Sequence, residues 1–73
     1  HAADGSAYRF LAAQIAALDP SNPQLASRLA RCFDRWQRFD AQRQSHARSA
    51  LERLRQQAGL SRDVFEVVDK ALS

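Results

Sequence analysis

The stretch N-P-Q-L-A-S-R at residues 22–28 begins a helix and separates it from the helix before it. The side chain of Asn22 can accept a hydrogen bond from an unpaired amide of the first turn. Pro23 suits the first helical position because it has no N–H group to leave unpaired. The segment D-P-S-N-P at residues 19–23 is a predicted turn, since each proline disfavours helix at the residue before it.

On both sides of this turn the apolar residues follow helical spacing, and glycine and proline occur only at likely breaks. Asp4, Asp40 and Ser61 are suitable caps for three further helices, and Gly59 suits the left-handed residue that follows a helix end. The predicted helices lie at about residues 5–18, 23–39, 41–58 and 62–72.

Short connections between these helices imply antiparallel neighbours. The predicted fold is therefore all-α: four antiparallel helices arranged as two helix-turn-helix pairs. Each pair has about 35 residues, the size of one repeat of a helical solenoid. The residues expected in the core are Tyr8, Leu11, Ala12, Ile15, Leu18, Leu25, Leu29, Cys32, Phe33, Trp36, Phe39, Ala47, Ala50, Leu51, Leu54, Ala58, Val64, Phe65, Val68, Ala71 and Leu72.

Composition limits the chain to one small domain. It has 73 residues, 45% of them hydrophobic, so we expect a thin core and marginal stability. The chain begins with His1 and has neither a signal peptide nor an apolar run long enough to span a membrane, so we expect a piece excised from a longer protein. The single cysteine, Cys32, excludes an internal disulfide bond and is compatible with a reducing cytoplasm.

The net charge of +3 arises mainly from arginine, and four arginines share one side of the second predicted helix. We call these four residues the arginine ridge: Arg28, Arg31, Arg35 and Arg38. A guanidinium group can hold two oxygens of a phosphate or a carboxylate at once, so the ridge is a candidate anion-binding surface. The alternative, which we favour from spacing alone, is a solvated polar face opposite the core.

No catalytic machinery is evident in the sequence. Cys32 and Trp36 lie one turn apart on the apolar side of their helix and are expected in the core, and no histidine has an evident path to the thiol. The zinc-binding pattern His-Glu-x-x-His is absent, and no Cys/His spacing is typical of a metal site. We therefore predict no catalytic residue, no metal ligand and no cofactor bound by these 73 residues.

Several short motifs, in order along the whole chain, resemble the extreme C-terminus of bacterial aminopeptidase N. No single motif is specific to this family, but the order and spacing of all of them together are specific. The one departure noted is Phe39, where the family usually has tyrosine. The motifs are D-G-S-A-Y at residues 4–8, N-P-Q-x-A-S-R at 22–28, F-D-A-x-R-Q at 39–44, A-L-E at 50–52, L-S-x-D at 60–63 and K-A-L at 70–72.

The resemblance implies a fold context and an activity for a longer parent protein. Members of this family are cytoplasmic zinc metallopeptidases that remove N-terminal residues from peptides, with zinc activating the attacking water. Their C-terminal part is a superhelix of paired helices that encloses a chamber, and these residues would form its end. On this basis the expected partners are the rest of the parent chain and, in the full enzyme, peptide substrates. A membrane is not expected as a partner, and the 73 residues alone are expected to be inactive.

Within the family motif, Gln24 and Arg28 stand at a helix start that approaches the chamber. The resemblance therefore makes these two residues candidates for substrate binding. Gln24 would line the substrate entrance or the first side-chain pocket. Arg28 would offer a cation to the backbone or carboxylate of a peptide.

Two alternatives remain open at this point. The first is a free-standing basic helical module that binds nucleic acid, which the high pI and the arginine ridge favour. The modest net charge and the acidic residues dispersed through every helix make nucleic acid the weaker choice. The second is a solenoid domain that binds another protein through an exposed apolar face.

Overall fold

A computed structural model describes residues 5–73 and contains four α-helices. They are α1 (Ser6–Leu18), α2 (Pro23–Ala30), α3 (Ala41–Arg55) and α4 (Arg62–Leu72). Two short 3-10 turns, Arg31–Phe33 and Trp36–Arg38, connect α2 to α3. None of the residues 5–73 lies in a strand, and the predicted all-α fold is confirmed.

The helices pack around one core. α1 contacts α2 and α3, and α4 contacts the same two helices, so α1 and α4 lie at opposite corners of the arrangement. Every α-helix contributes at least one fully buried side chain, among them Ile15, Leu51, Val64 and Val68. Tyr8 holds the start of α1 to the 3-10 segment, since its ring centroid is 6.3 Å from that of Phe33.

Three helices begin at the predicted capping residues. The amide of Leu25 donates to Oδ1 of Asn22 at 3.2 Å, and Pro23 is the first residue of α2. Asp40 caps α3 through the Arg43 amide at 2.9 Å, and Ser61 caps α4 through the Val64 amide at 3.2 Å. Each of these bonds satisfies an amide that has no partner inside the helix.

The start of α1 differs from the prediction. Gly5 takes the capping position with a φ of 82°, and no side chain caps this helix. A Cβ atom at this position would lie 2.5 Å from Nδ1 of His46, so glycine is required both by the backbone conformation and by the close approach of α3. The predicted cap, Asp4, lies outside the described residues.

The predicted helix over residues 23–39 is wrong beyond Ala30. In a continuous α-helix, Trp36 would rotate away from the buried side that Ala26 and Ala30 define. The chain instead forms two separate 3-10 turns, the first ending at Phe33 and the second beginning at Trp36, and both of these side chains are buried in the core. The indole Nε1 of Trp36 donates to the carbonyl oxygen of Ala71 at 2.7 Å, which fastens this segment to the end of α4.

The third helix also ends earlier than residue 58. α3 stops at Arg55, and a separate turn follows in which the Leu60 amide donates to the carbonyl oxygen of Gln57 at 3.4 Å. Gly59 has the predicted left-handed conformation, with a φ of 76°, but it occupies the third position of this turn rather than the helix end. Ala58 is consequently exposed and not part of the core.

Three other core predictions are wrong. Cys32 is exposed, because it lies about 120° around the 3-10 winding from the buried Phe33. Phe65 is 42% exposed because it lies on the edge of α4, about 100° from Val64. Leu25 is 38% exposed, whereas the core position on that side of α2 is taken by the smaller Ala26.

Candidate functional site

Gln24 and Arg28 lie on α2 and both are exposed. Residues four apart on a helix share a face, so the two side chains are neighbours. They project away from Ala26 and Ala30, which are fully buried against the other helices. The start of α2 therefore presents an amide and a guanidinium group together to the outside of the domain.

A buried contact that the sequence did not predict positions this helix start. Asp19, which is only 2% exposed, ends α1 and leads into the turn before α2. Its Oδ2 accepts the Ser61 amide at 2.6 Å, and its Oδ1 accepts the Ser61 hydroxyl at 2.5 Å. The same hydroxyl oxygen accepts the Val64 amide, so Asp19 joins the turn before α2 to the cap of α4.

The structure does not bring the arginine ridge together as one helical face. Arg28 lies on α2, whereas Arg31 belongs to the first 3-10 turn, Arg35 precedes the second and Arg38 ends it. All four side chains are exposed, and none has an ion-pair partner among residues 5–73.

Four other arginines of the described region differ in this respect. Four arginines of α3 and α4 form ion pairs with carboxylates, at nitrogen-to-oxygen distances from 3.0 to 3.8 Å. All four cationic groups in the stretch from α2 through the 3-10 turns therefore lack an ion pair among residues 5–73, as do Arg53 and Lys70. The four pairs are Arg43–Asp40, Arg48–Glu52, Arg55–Asp69 and Arg62–Glu66.

A groove of about 700 Å³ runs between the α2 side of the domain and α4. Its lining mixes charges of both signs, with Arg31 and Lys70 facing Asp34, Asp63 and Glu66. Gln24 and Arg28 do not line it. The predicted substrate-binding pair thus lies on the exposed surface, outside this groove.

Within residues 5–73 no group of three or more His, Cys, Asp or Glu side chains is placed to hold a metal ion. No helix of the same region is both long and apolar enough to cross a bilayer.

Comparisons with known proteins agree along the whole chain. A family model described as a domain of unknown function (DUF3458_C) with ARM repeats matches residues 1–73. Aminopeptidase N of Haemophilus influenzae is 50% identical over 72 residues, and aminopeptidase N of Escherichia coli is 47% identical over 73 residues. Aminopeptidase N of Caulobacter vibrioides is 36% identical over 72 residues.

These matches cover 99 to 100% of the chain but only 8% of each relative. The similarity therefore identifies a segment, and the paired helices described above are the expected form of ARM repeats. The chain belongs to the DUF3458_C family of ARM-repeat domains and corresponds to the C-terminal end of aminopeptidase N.

Proposed function

We propose that the chain is the C-terminal helical segment of a cytoplasmic, zinc-dependent aminopeptidase that removes N-terminal residues from peptides. The observation that carries this proposal is the identity of 47 to 50% with two aminopeptidases N over 99 to 100% of the chain. The zinc ion and the residues that activate water would belong to the rest of the parent chain. The segment would serve as a cap and as part of the chamber wall, without catalytic residues of its own.

We further propose that Gln24 and Arg28 contact peptide substrates in the parent enzyme. Both side chains are exposed on one face of α2, and the Arg28 guanidinium has no carboxylate partner among the described residues. A cation of this kind can form a charge-assisted, two-pronged hydrogen bond with a peptide carboxylate. An aminoacyl arylamide has one amino-acid residue joined to a small reporter group, so it would be too short to reach Arg28.

The test is an Arg28→Ala variant of the full-length parent, assayed on a tripeptide and on an aminoacyl arylamide. Loss of one charge-assisted hydrogen bond is expected to lower kcat/KM on the tripeptide by about tenfold, with little change on the arylamide. Arg35→Ala is the matched control, because Arg35 is also exposed and unpaired in the described region but lies beyond the end of α2. Equal losses on both substrates, or equal losses in both variants, would refute the role of Arg28.

A second candidate function is nucleic-acid binding, which the four exposed and unpaired arginines favour. Phosphate contacts make such binding strongly salt-dependent. A titration of the chain with duplex DNA at two salt concentrations distinguishes the two functions. Tight DNA binding at low salt that weakens steeply at high salt would support the nucleic-acid function. A lack of DNA binding at low salt would exclude it and leave the proposal of an aminopeptidase segment.

A further inference from the structure

The groove between α2 and α4 is held at both ends by contacts between its two sides. At one end the Asp19 carboxylate accepts the amide and the hydroxyl of Ser61, the residue that caps α4. At the other end the indole Nε1 of Trp36 donates to the carbonyl oxygen of Ala71 at 2.7 Å. α2 and the 3-10 turns that follow it therefore run in the same direction as α4. The groove between them is a fixed feature of the packed domain.

Arg31 and Lys70 line this groove from opposite sides. Arg31 follows α2 directly and keeps helical backbone angles. The same number of residues separates Arg31 from its cap Asn22 and Lys70 from its cap Ser61. Because the two caps lie at the same end of parallel helices, Arg31 and Lys70 lie at a similar height along the groove. We call these two residues the cationic pair.

The cationic pair has charge to offer a ligand, since neither member has an ion-pair partner among residues 5–73. Three carboxylates also line the groove, but that of Glu66 is paired with Arg62 at 3.4 Å. Asp63 lies in the first turn of α4, about 10 Å from the lysine of the pair at 1.5 Å per residue. Only Asp34 is close to the pair along the chain, and it forms no ion pair in the described region. The two cations therefore outnumber the one nearby carboxylate and favour an anion.

The groove is continuous with the surface that carries the proposed substrate-binding residues. At 100° per residue, Gln24, Arg28 and Arg31 lie within an arc of about 60° on the exposed side of α2. Ser27 lies next to this arc on the side of α4 and lines the groove, as Arg31 does. Val67 of α4 adds apolar surface to the lining. A peptide that lies along Gln24 and Arg28 can therefore continue into the groove.

We propose that the cationic pair binds the C-terminal carboxylate of peptide substrates that are too long to end at Arg28. This inference rests on the proposed function, because it needs the active parent enzyme. Arg31 lies about 4.5 Å further along the helix than Arg28, and an extended peptide advances about 3.3–3.6 Å per residue. A carboxylate that reaches the pair therefore belongs to a peptide about one or two residues longer. Arg28 would serve tripeptides, whereas the groove would serve peptides of about five residues.

The chemistry of the pair selects the end of a peptide over its middle. A guanidinium group offers a planar fork of N–H donors, and an ammonium group on the other side of the groove offers a compact charge. One carboxylate has enough acceptor positions to bind both. An internal peptide group or a C-terminal amide is uncharged and forms only the weaker neutral hydrogen bonds. The expected ligand is therefore a peptide with a free C-terminal carboxylate.

The experiment measures kcat/KM of the full-length parent on an alanine pentapeptide and on the same pentapeptide with a C-terminal amide. The wild type is expected to prefer the free acid by at least about tenfold, the effect of one charge-assisted hydrogen bond. Arg31→Gln and Lys70→Gln should each abolish most of this preference and leave activity on an alanine tripeptide unchanged. Arg53→Gln is the matched control, because Arg53 is also exposed and without an ion pair in the described region but lies on α3.

A preference for the free acid that persists in both Arg31→Gln and Lys70→Gln would overturn the proposal. Equal losses on the tripeptide and the pentapeptide would also overturn it, because the substitutions would then act on the enzyme as a whole. Activity of the same preparations on an aminoacyl arylamide keeps the two proposals apart. A parent that cleaves the arylamide but has no preference for the free acid contradicts this inference alone, whereas a parent without aminopeptidase activity contradicts the proposed function.

Discussion

The contact between Asp19 and Ser61 gives the sharpest prediction for stability. Asp19 is buried and accepts two hydrogen bonds from one residue, the backbone amide and the hydroxyl of Ser61. The hydroxyl in turn accepts the Val64 amide and so caps α4. Replacing Asp19 with alanine removes both acceptor oxygens and leaves the Ser61 amide without its partner in a partly buried position.

The expected loss of stability in Asp19→Ala follows from these two hydrogen bonds. A hydrogen bond to a charged group contributes about 1.5–3 kcal/mol to the free energy of unfolding, and a buried donor left without an acceptor costs about 1–3 kcal/mol. Since the two bonds share one carboxylate and are not additive, we expect Asp19→Ala to lower the free energy of unfolding by about 3 kcal/mol. A chain of 73 residues has about 4–11 kcal/mol in total, so this loss is a large fraction. Asp19→Asn retains an acceptor oxygen and should cost about 1 kcal/mol.

Urea unfolding of the 73-residue chain measures this loss. Trp36 is the only tryptophan and is buried, so its fluorescence reports on the core, and far-ultraviolet circular dichroism checks that each variant is helical before urea is added. Ser61→Ala completes a double-mutant cycle, because it removes the hydroxyl but keeps the amide that Asp19 accepts. The expected coupling energy between the two positions is about 1.5 kcal/mol.

Two results would refute this reasoning. A loss below about 0.5 kcal/mol for Asp19→Ala would place it with ordinary surface substitutions and show that the carboxylate is not a buried acceptor. A coupling energy near zero would show that the side chains of Asp19 and Ser61 act independently. A charge effect without a specific contact would instead make Asp19→Asn as costly as Asp19→Ala.

Three further predictions, on four substitutions, test other parts of the fold by the same unfolding measurement, with circular dichroism as the signal where Trp36 is changed. Trp36→Phe removes the indole hydrogen bond to α4 and should cost about 1–2 kcal/mol; no loss would mean that this bond does not fasten the 3-10 segment. Gly5→Ala should cost more than Gly59→Ala: both have positive φ, but a Cβ at Gly5 meets His46, whereas nothing lies within 4 Å at Gly59. Equal costs would contradict the close approach at Gly5. Cys32→Ser should change stability by less than about 0.5 kcal/mol, and a larger loss would restore Cys32 to the core.

The candidate site was predictable only in part. The sequence indicated that Arg28 lies on a polar side of its helix with Gln24, but it placed Leu25 in the core, where the structure buries Ala26 and Ala30. The four residues of the arginine ridge do not form one helical face in the structure, because they are distributed over an α-helix and two 3-10 turns. Whether Gln24 and Arg28 contact a peptide stays a prediction for the whole enzyme.

The sequence by itself determined where three of the four helices begin. Asn22, Asp40 and Ser61 each accept the amide three residues ahead, and such a bond depends only on neighbours along the chain. Helical periodicity likewise determined the class of the fold, since each apolar stripe repeats within one or two turns.

Tertiary structure decided where α2 and α3 end and which apolar residues are buried. α2 stops at Ala30 because Phe33 and Trp36 must both reach the core, and Trp36 must reach a carbonyl 35 residues away. The pairing of Asp19 with Ser61 spans 42 residues, and no local pattern in either segment specifies it. The physical reason is the same in both cases: these contacts form only after the helices pack, so their free energy depends on partners that sequence spacing does not reveal.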